Sequence, residues 1–121
     1  MKTNEDNIIV IKSYAFAVRC VKLYRFLMEE KHDSIIGKQL FRCGTSIGAN
    51  VKEGIRGFTK ADFSSKMSIA LKEASESEFW IELLRDTDYI TSEQADSLLT
   101  DCRELIKILM SIIKSAQSIK H

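Results

Sequence analysis

Arg42-Cys43-Gly44-Thr45-Ser46-Ile47-Gly48-Ala49-Asn50-Val51-Lys52-Glu53-Gly54 is the stretch whose reading decides the fold. Apolar and small residues recur through it at helical spacing, yet it holds three glycines and an asparagine. Each glycine costs about 1 kcal/mol against alanine inside a helix, so a helix is expected here only if a neighbour packs closely enough to compensate. The Gly44-x-x-x-Gly48 spacing, best known from membrane helices, suits such an approach.

Working outward, the stretch is the middle of a helix expected over about residues 35–58, with Asp33 or Ser34 as its N-cap. Its apolar line is Ile36, Leu40, Cys43, Ile47, Val51, Gly54 and Phe58, and Gly37, Gly44 and Gly48 fall on the same arc. Upstream, a helix over about residues 7–31 carries two apolar stripes: Ile11, Tyr14, Val18 and Val21, and beside it Phe16, Cys20, Leu23 and Leu27. Together they exceed half of the circumference, where a bundle helix needs roughly a third. Either this helix is central and well covered or one stripe is a subunit interface.

Downstream, Thr59 with Asp62 is a capping signal for a helix over about residues 60–88. Phe63, Met67, Ala70, Ala74, Ser77, Ile81 and Leu84 keep an unbroken alternation of four and three. A second line, Ile69, Glu73, Glu76, Trp80 and Leu83, mixes apolar groups with carboxylates and is expected at a boundary with solvent or another subunit. Thr91 with Gln94 is a capping box for a helix over about residues 92–119, with core positions Leu98, Cys102, Leu105, Leu109, Ile112, Ala116 and Ile119. Four helices with short connections predict an all-α, antiparallel up-down-up-down four-helix bundle, one domain over residues 1–121.

Composition narrows the function. The 121 residues contain no proline and carry a net charge of +1, which predicts neither a strongly basic nucleic-acid binder nor an acidic tail. Cys20, Cys43 and Cys102 sit on apolar stripes and read as reduced core residues of a cytoplasmic protein. The apolar run at residues 8–11 is broken at Lys12, too short for a signal peptide or a membrane span.

Charge is nevertheless segregated. Residues 34–60 hold five Lys/Arg against one acid, a net of +4, and residues 61–88 hold three against seven, a net of −4. If the chain reverses near Thr59, residues whose numbers sum to about 118 lie level, which sets Arg42 opposite Glu76 and Glu53 near Lys66. Complementary charges on adjacent helices are one reading. The other is that Lys38, Arg42, Lys52, Arg56 and Lys60, within a quarter of the circumference over about 33 Å, follow a phosphate backbone. No aromatic interleaves that stripe, so base stacking is not suggested.

Catalysis finds little support. His32 and His121 are the only histidines, and neither follows a Glu by three as a di-iron bundle requires. No metal, cofactor or small-molecule substrate is therefore expected. Arg25 and His32 fit the loose Arg-x(4–6)-His pattern of helical HEPN ribonucleases, in which His would move a proton and Arg would stabilise phosphate charge; an ordinary exposed pair is preferred, and a purely structural protein-interaction module with no nucleic-acid role is a further alternative.

Arg42-x-x-x-Ser46-Ile47-x-x-Asn50-x-x-Glu53, followed by Asp62-Phe63, Ile69-Ala70, Lys72-Glu73-Ala74-x-Glu76 and Phe79-Trp80, closely resembles the small bundle proteins encoded in intervening sequences of bacterial 23S rRNA genes. The accessory variability protein of diversity-generating retroelements looks like a relative. The resemblance covers nearly the whole chain. It implies a cytoplasmic bacterial protein forming a ring-like homopentamer, and, from the retroelement relative, a non-catalytic accessory that meets nucleic acid through a basic surface. This chain departs from that relative in its pI of about 7.7. Arg42, Ser46, Asn50, Glu53, Glu73, Glu76 and Trp80 are expected to form a packing and polar network rather than a ligand site.

Overall fold

The computed structural model describes residues 4–32 and 35–118, which form four helices: α1, Asn4–Phe26; α2, Ile36–Ile55; α3, Lys60–Asp86; and α4, Ser92–Ser118. The cap positions Asp33 and Ser34 and the core position Ile119 lie outside the described residues. One π-helical turn, Leu27–Lys31, extends α1, and His32 closes it at φ 54° with its N–H donating to the Leu27 carbonyl.

The caps explain where helices begin and end. Thr59 is extended at φ −130° and its Oγ1 accepts the Asp62 N–H. Thr91 and Gln94 form the reciprocal box: Thr91 N–H donates to Gln94 Oε1 at 2.8 Å, and Gln94 N–H to Thr91 Oγ1 at 3.1 Å. At the end of α3, Asp88 turns left-handed at φ 65°. The N–H of Tyr89 then reaches the Leu84 carbonyl and that of Asp88 the Arg85 carbonyl, the two bonds of a Schellman motif.

Each helix packs on the next, and α4 returns to α1. The pairs that meet show the directions. Phe41 stacks at 5.0 Å on Tyr24 while Gly48 lies against Ser13, so α2 runs opposite to α1. Ser77 meets Cys43 and Lys66 meets Glu53, so α3 runs opposite to α2. Glu5 meets Ser111 and Arg19 meets Asp101, so α4 runs opposite to α1. The result is an all-α four-helix bundle. Its α1–α4 seam has the fewest close approaches and is held by polar bonds: Lys12 to Glu104 at 3.1 Å, and Arg19 to both Asp101 and Ser97.

The core draws Ile9, Phe16, Cys20 and Leu27 from α1, Leu40, Cys43, Ile47 and Val51 from α2, Met67, Ala74, Ile81 and Leu84 from α3, and Leu99, Cys102, Leu105 and Leu109 from α4. Glycine is needed where α1 meets α2. A Cβ on Gly44 would collide with Cys20 Sγ, and one on Gly48 would stand 3.3 Å from the Ser13 carbonyl oxygen.

Two expectations need correction. Of the two readings of α1, the well-covered central helix fails for half of the Ile11 stripe: Ile11 is 68% exposed and Tyr14 72%, while Val18 and Val21 are half-buried. The core takes the other stripe, extended through Ile9 and Ser13, because α2 and α4 both pack on that side. Further along, α2 stops at Ile55 rather than 58, so Phe58 leaves the apolar line and is 99% exposed. The cause is local. Gly57 N–H bonds back to the Gly54 carbonyl at 3.1 Å, and the space a Cβ on Gly57 would need is taken by Asp62.

Candidate nucleic-acid interface

Alternate turns of α1 and α2 leave a groove of about 750 Å³ between them. Its walls are Val10, Ile11, Tyr14 and Ala17 on α1 and Gly48, Ala49 and Ile55 on α2. Lys52 and Arg56 line it as well, and no Asp or Glu among the described residues does. The small residues that let the helices approach also leave nothing to fill the outer half of the cleft, so the apolar surface stays open.

The five cations singled out in the sequence are all exposed. Lys38, Arg42 and Lys52 stand on the outer face of α2. Arg56 lies just past its last turn, and Lys60 is the first residue of α3. The stripe therefore bends around the end of the bundle instead of following one helix. None of the five pairs with a carboxylate among the described residues. Arg42 donates instead to Gln39 Oε1 at 2.8 Å. By contrast, Lys12, Arg19, Lys66, Arg85 and Arg103 are each held by an acid.

On the other side of α2, the remaining motif residues gather along the outer α2–α3 seam. Asn50 Nδ2 donates to Ser46, to its carbonyl at 2.8 Å and its Oγ at 3.1 Å, a bond within one helix rather than a link across two. Glu53 takes Lys66 at 2.9 Å, the cross-helix pair that level counting anticipated. Arg42 makes no such pair with Glu76, but its charge acts on Glu73. Burial first, then the charge of Glu76, raises Glu73 above the ordinary carboxylate range, with Arg42 opposing. One Glu73 oxygen is shielded from solvent and has no hydrogen-bond partner. Trp80 is half-buried beside Phe79, edge to face at 4.9 Å. This seam is a polar border of the core, and none of these groups lines the groove between α1 and α2.

Arg25 and His32 are both exposed, and neither side chain makes a hydrogen bond or ion pair among the described residues. The three cysteines are free and buried, and burial pushes each thiol up, Cys102 to about 12. Among the described residues no group of three or more His, Cys, Asp or Glu is placed to hold a metal ion, and no helix is long and apolar enough to cross a membrane.

Two features of this surface escaped the sequence reading. Tyr14 shares a groove with Lys52 and Arg56, which no signal in one helix can reveal. Phe58 was legible in principle: glycines at 54 and 57 followed by the Thr59-x-x-Asp62 cap mark a helix end before it.

The chain matches the family model described as 23S rRNA-intervening sequence protein over residues 5–111. It is also similar to a crystal structure of a protein of unknown function from the S23 ribosomal protein family of Bacteroides thetaiotaomicron VPI-5482. The two are 51% identical, the match covers 91% of this chain and 98% of that one, and the TM-score is 0.90. No curated protein matches.

Proposed function

Since the chain belongs to the 23S rRNA-intervening sequence protein family, we propose that it works as a non-catalytic, self-associating scaffold or accessory that engages nucleic acid or a nucleoprotein partner. The observation that carries this reading is the outer surface of α1, α2 and the start of α3: the uncovered Ile11 and Tyr14 beside five cations that form no ion pair with a carboxylate among the described residues. Water-exposed Ile11 and Tyr14 lose about 25 cal/mol for each Å² of apolar surface left wet, which a second copy packed there would recover. In the ring of five that the resemblance implies, the cations of each copy repeat around the assembly, and their weak individual attractions to phosphate add. Nothing in the arrangement of Arg25 and His32 favours ribonuclease chemistry over this.

The test combines native mass with binding. Light scattering is expected to give a uniform oligomer, reduced to monomer by Ile11→Asp with Tyr14→Asp; a wild-type monomer at working concentration refutes self-association. Lys52→Glu, Arg56→Glu and Lys60→Glu together are expected to weaken nucleic-acid binding and flatten its salt dependence. Absence of binding by the wild type at low salt refutes the nucleic-acid part.

A further inference from the structure

Phe58 is the most exposed large apolar residue of the described chain, at 99%, and every residue from Arg56 to Asp62 is exposed around it. It lines no part of the apolar groove between α1 and α2, and its chain neighbours are Gly57 and Thr59. Yet it is not loosely held. On one side Gly57 N–H is bonded to Gly54, and on the other Thr59 accepts the N–H groups of Asp62, through Oγ1, and Phe63, through its carbonyl. The backbone thus presents a ring with both faces open, at a pinned position. Arg56 and Lys60 stand two residues to either side and Lys52 one turn behind, all without an acidic partner. The N-terminus of α3 adds its partial positive charge. Between residues 52 and 62 the chain carries these three cations against two acids, of which Glu53 is taken by Lys66 at 2.9 Å.

We infer that this corner binds single-stranded nucleic acid, an unpaired base stacking on Phe58 while Arg56, Lys60 and Lys52 take the flanking phosphates. The inference rests on the nucleic-acid reading above and specifies its ligand. The charge requires an anion, and an isolated ring open on both faces suits a flat partner. A duplex hides its base faces and would meet only the cations. A protein partner would seat on the apolar groove between α1 and α2, which Phe58 does not line. Base-on-aromatic stacking with a positive groove is the general means of holding single strands without sequence preference; the sequence argued against stacking because it placed Phe58 on the apolar line of α2, whereas the helix end at Ile55 sets the ring in solvent between Arg56 and Lys60.

The experiment measures fluorescence anisotropy of a labelled short oligouridine and of an RNA duplex of equal length, with native mass recorded for each variant. Wild type is expected to bind the single strand more tightly than the duplex. Phe58→Ala and Phe58→Leu are expected to weaken single-strand binding about fivefold or more and to leave duplex binding and native mass unchanged; a fully exposed side chain makes misfolding no obstacle. Phe58→Trp is expected to keep binding and to show quenching on RNA addition beyond that of Trp80. If Phe58→Ala binds the single strand as well as wild type does, stacking is overturned while the nucleic-acid reading stands. If wild type binds neither RNA, both fall. If Phe58→Ala changes the native mass, the ring is a protein contact and the inference is overturned.

Discussion

Gly44→Ala tests the close packing on which the whole arrangement depends. The added Cβ points at Cys20 Sγ well inside contact distance and at Cys20 Cβ at 3.2 Å. Cys20 is itself buried, at 1% exposure, which limits how far its sulfur can move aside. Overpacking of this kind costs about 1–3 kcal/mol, and the intrinsic helix preference of alanine returns about 1 kcal/mol. The net expectation is a loss of up to about 2 kcal/mol. Truncating the obstacle should reverse the sign: in a Cys20→Ala background the same substitution is expected to be neutral or stabilising by up to about 1 kcal/mol. The two positions should therefore couple by about 2 kcal/mol in a double-mutant cycle. Gly48→Ala offers a contrast, because its obstacle is the Ser13 backbone carbonyl at 3.3 Å and Ser13→Ala should give no rescue. Urea denaturation followed by far-UV circular dichroism, at one fixed protein concentration because self-association shifts apparent stability, provides the values. A Gly44→Ala protein more stable than wild type, or single effects that simply add, would refute the reasoning.

Three further outcomes are expected. Glu73 has a folded-state pKa raised above its ordinary value of 4.5, first by burial, so its contribution is present below that value and is lost as pH rises through the folded pKa; Glu73→Gln should flatten this decline and leave the protein at least as stable at neutral pH, as read from denaturation midpoints across pH. The three buried thiols, with Cys102 raised to about 12, should resist a thiol reagent in the native protein at mildly alkaline pH and all react once guanidinium unfolds it; rapid native labelling would contradict their burial. Arg19→Ala removes the bonds to Asp101 and Ser97 that hold the α1–α4 seam, and because the ion pair is partly exposed the loss should be about 1 kcal/mol; a loss several times larger in chemical denaturation would mean that the seam depends on these polar bonds more than on packing.

The four helices were legible in the sequence because helical periodicity and capping are local. Met67, Ala70, Ala74, Ser77, Ile81 and Leu84 declare the buried face of α3, and the hydrogen bonds of Thr59 and Thr91 are written within three residues of each. The glycines at 44 and 48 announced a close neighbour, and counting back from the turn placed Glu53 beside Lys66. The same counting failed for Arg42, whose long side chain found Gln39 on its own helix at lower cost than reaching across to Glu76.

What the tertiary structure alone decided is which candidates face the same way. Periodicity gives an angle around a helix axis but not the side from which a neighbour arrives, so the two stripes of α1 were equivalent until α2 and α4 packed on Ile9, Phe16 and Cys20 and left Ile11 and Tyr14 in water. That choice placed Tyr14 in one groove with Lys52 and Arg56. A helix end is likewise settled by competition between one more turn and the chain reversal that lets α3 pack; the reversal won at Ile55 and turned Phe58 outward. The sequence by itself determined four amphipathic helices and the close contact at their glycines. The exposed surface, with its stripe, its unpaired cations and its open ring, exists only once those helices have excluded one another from the same space.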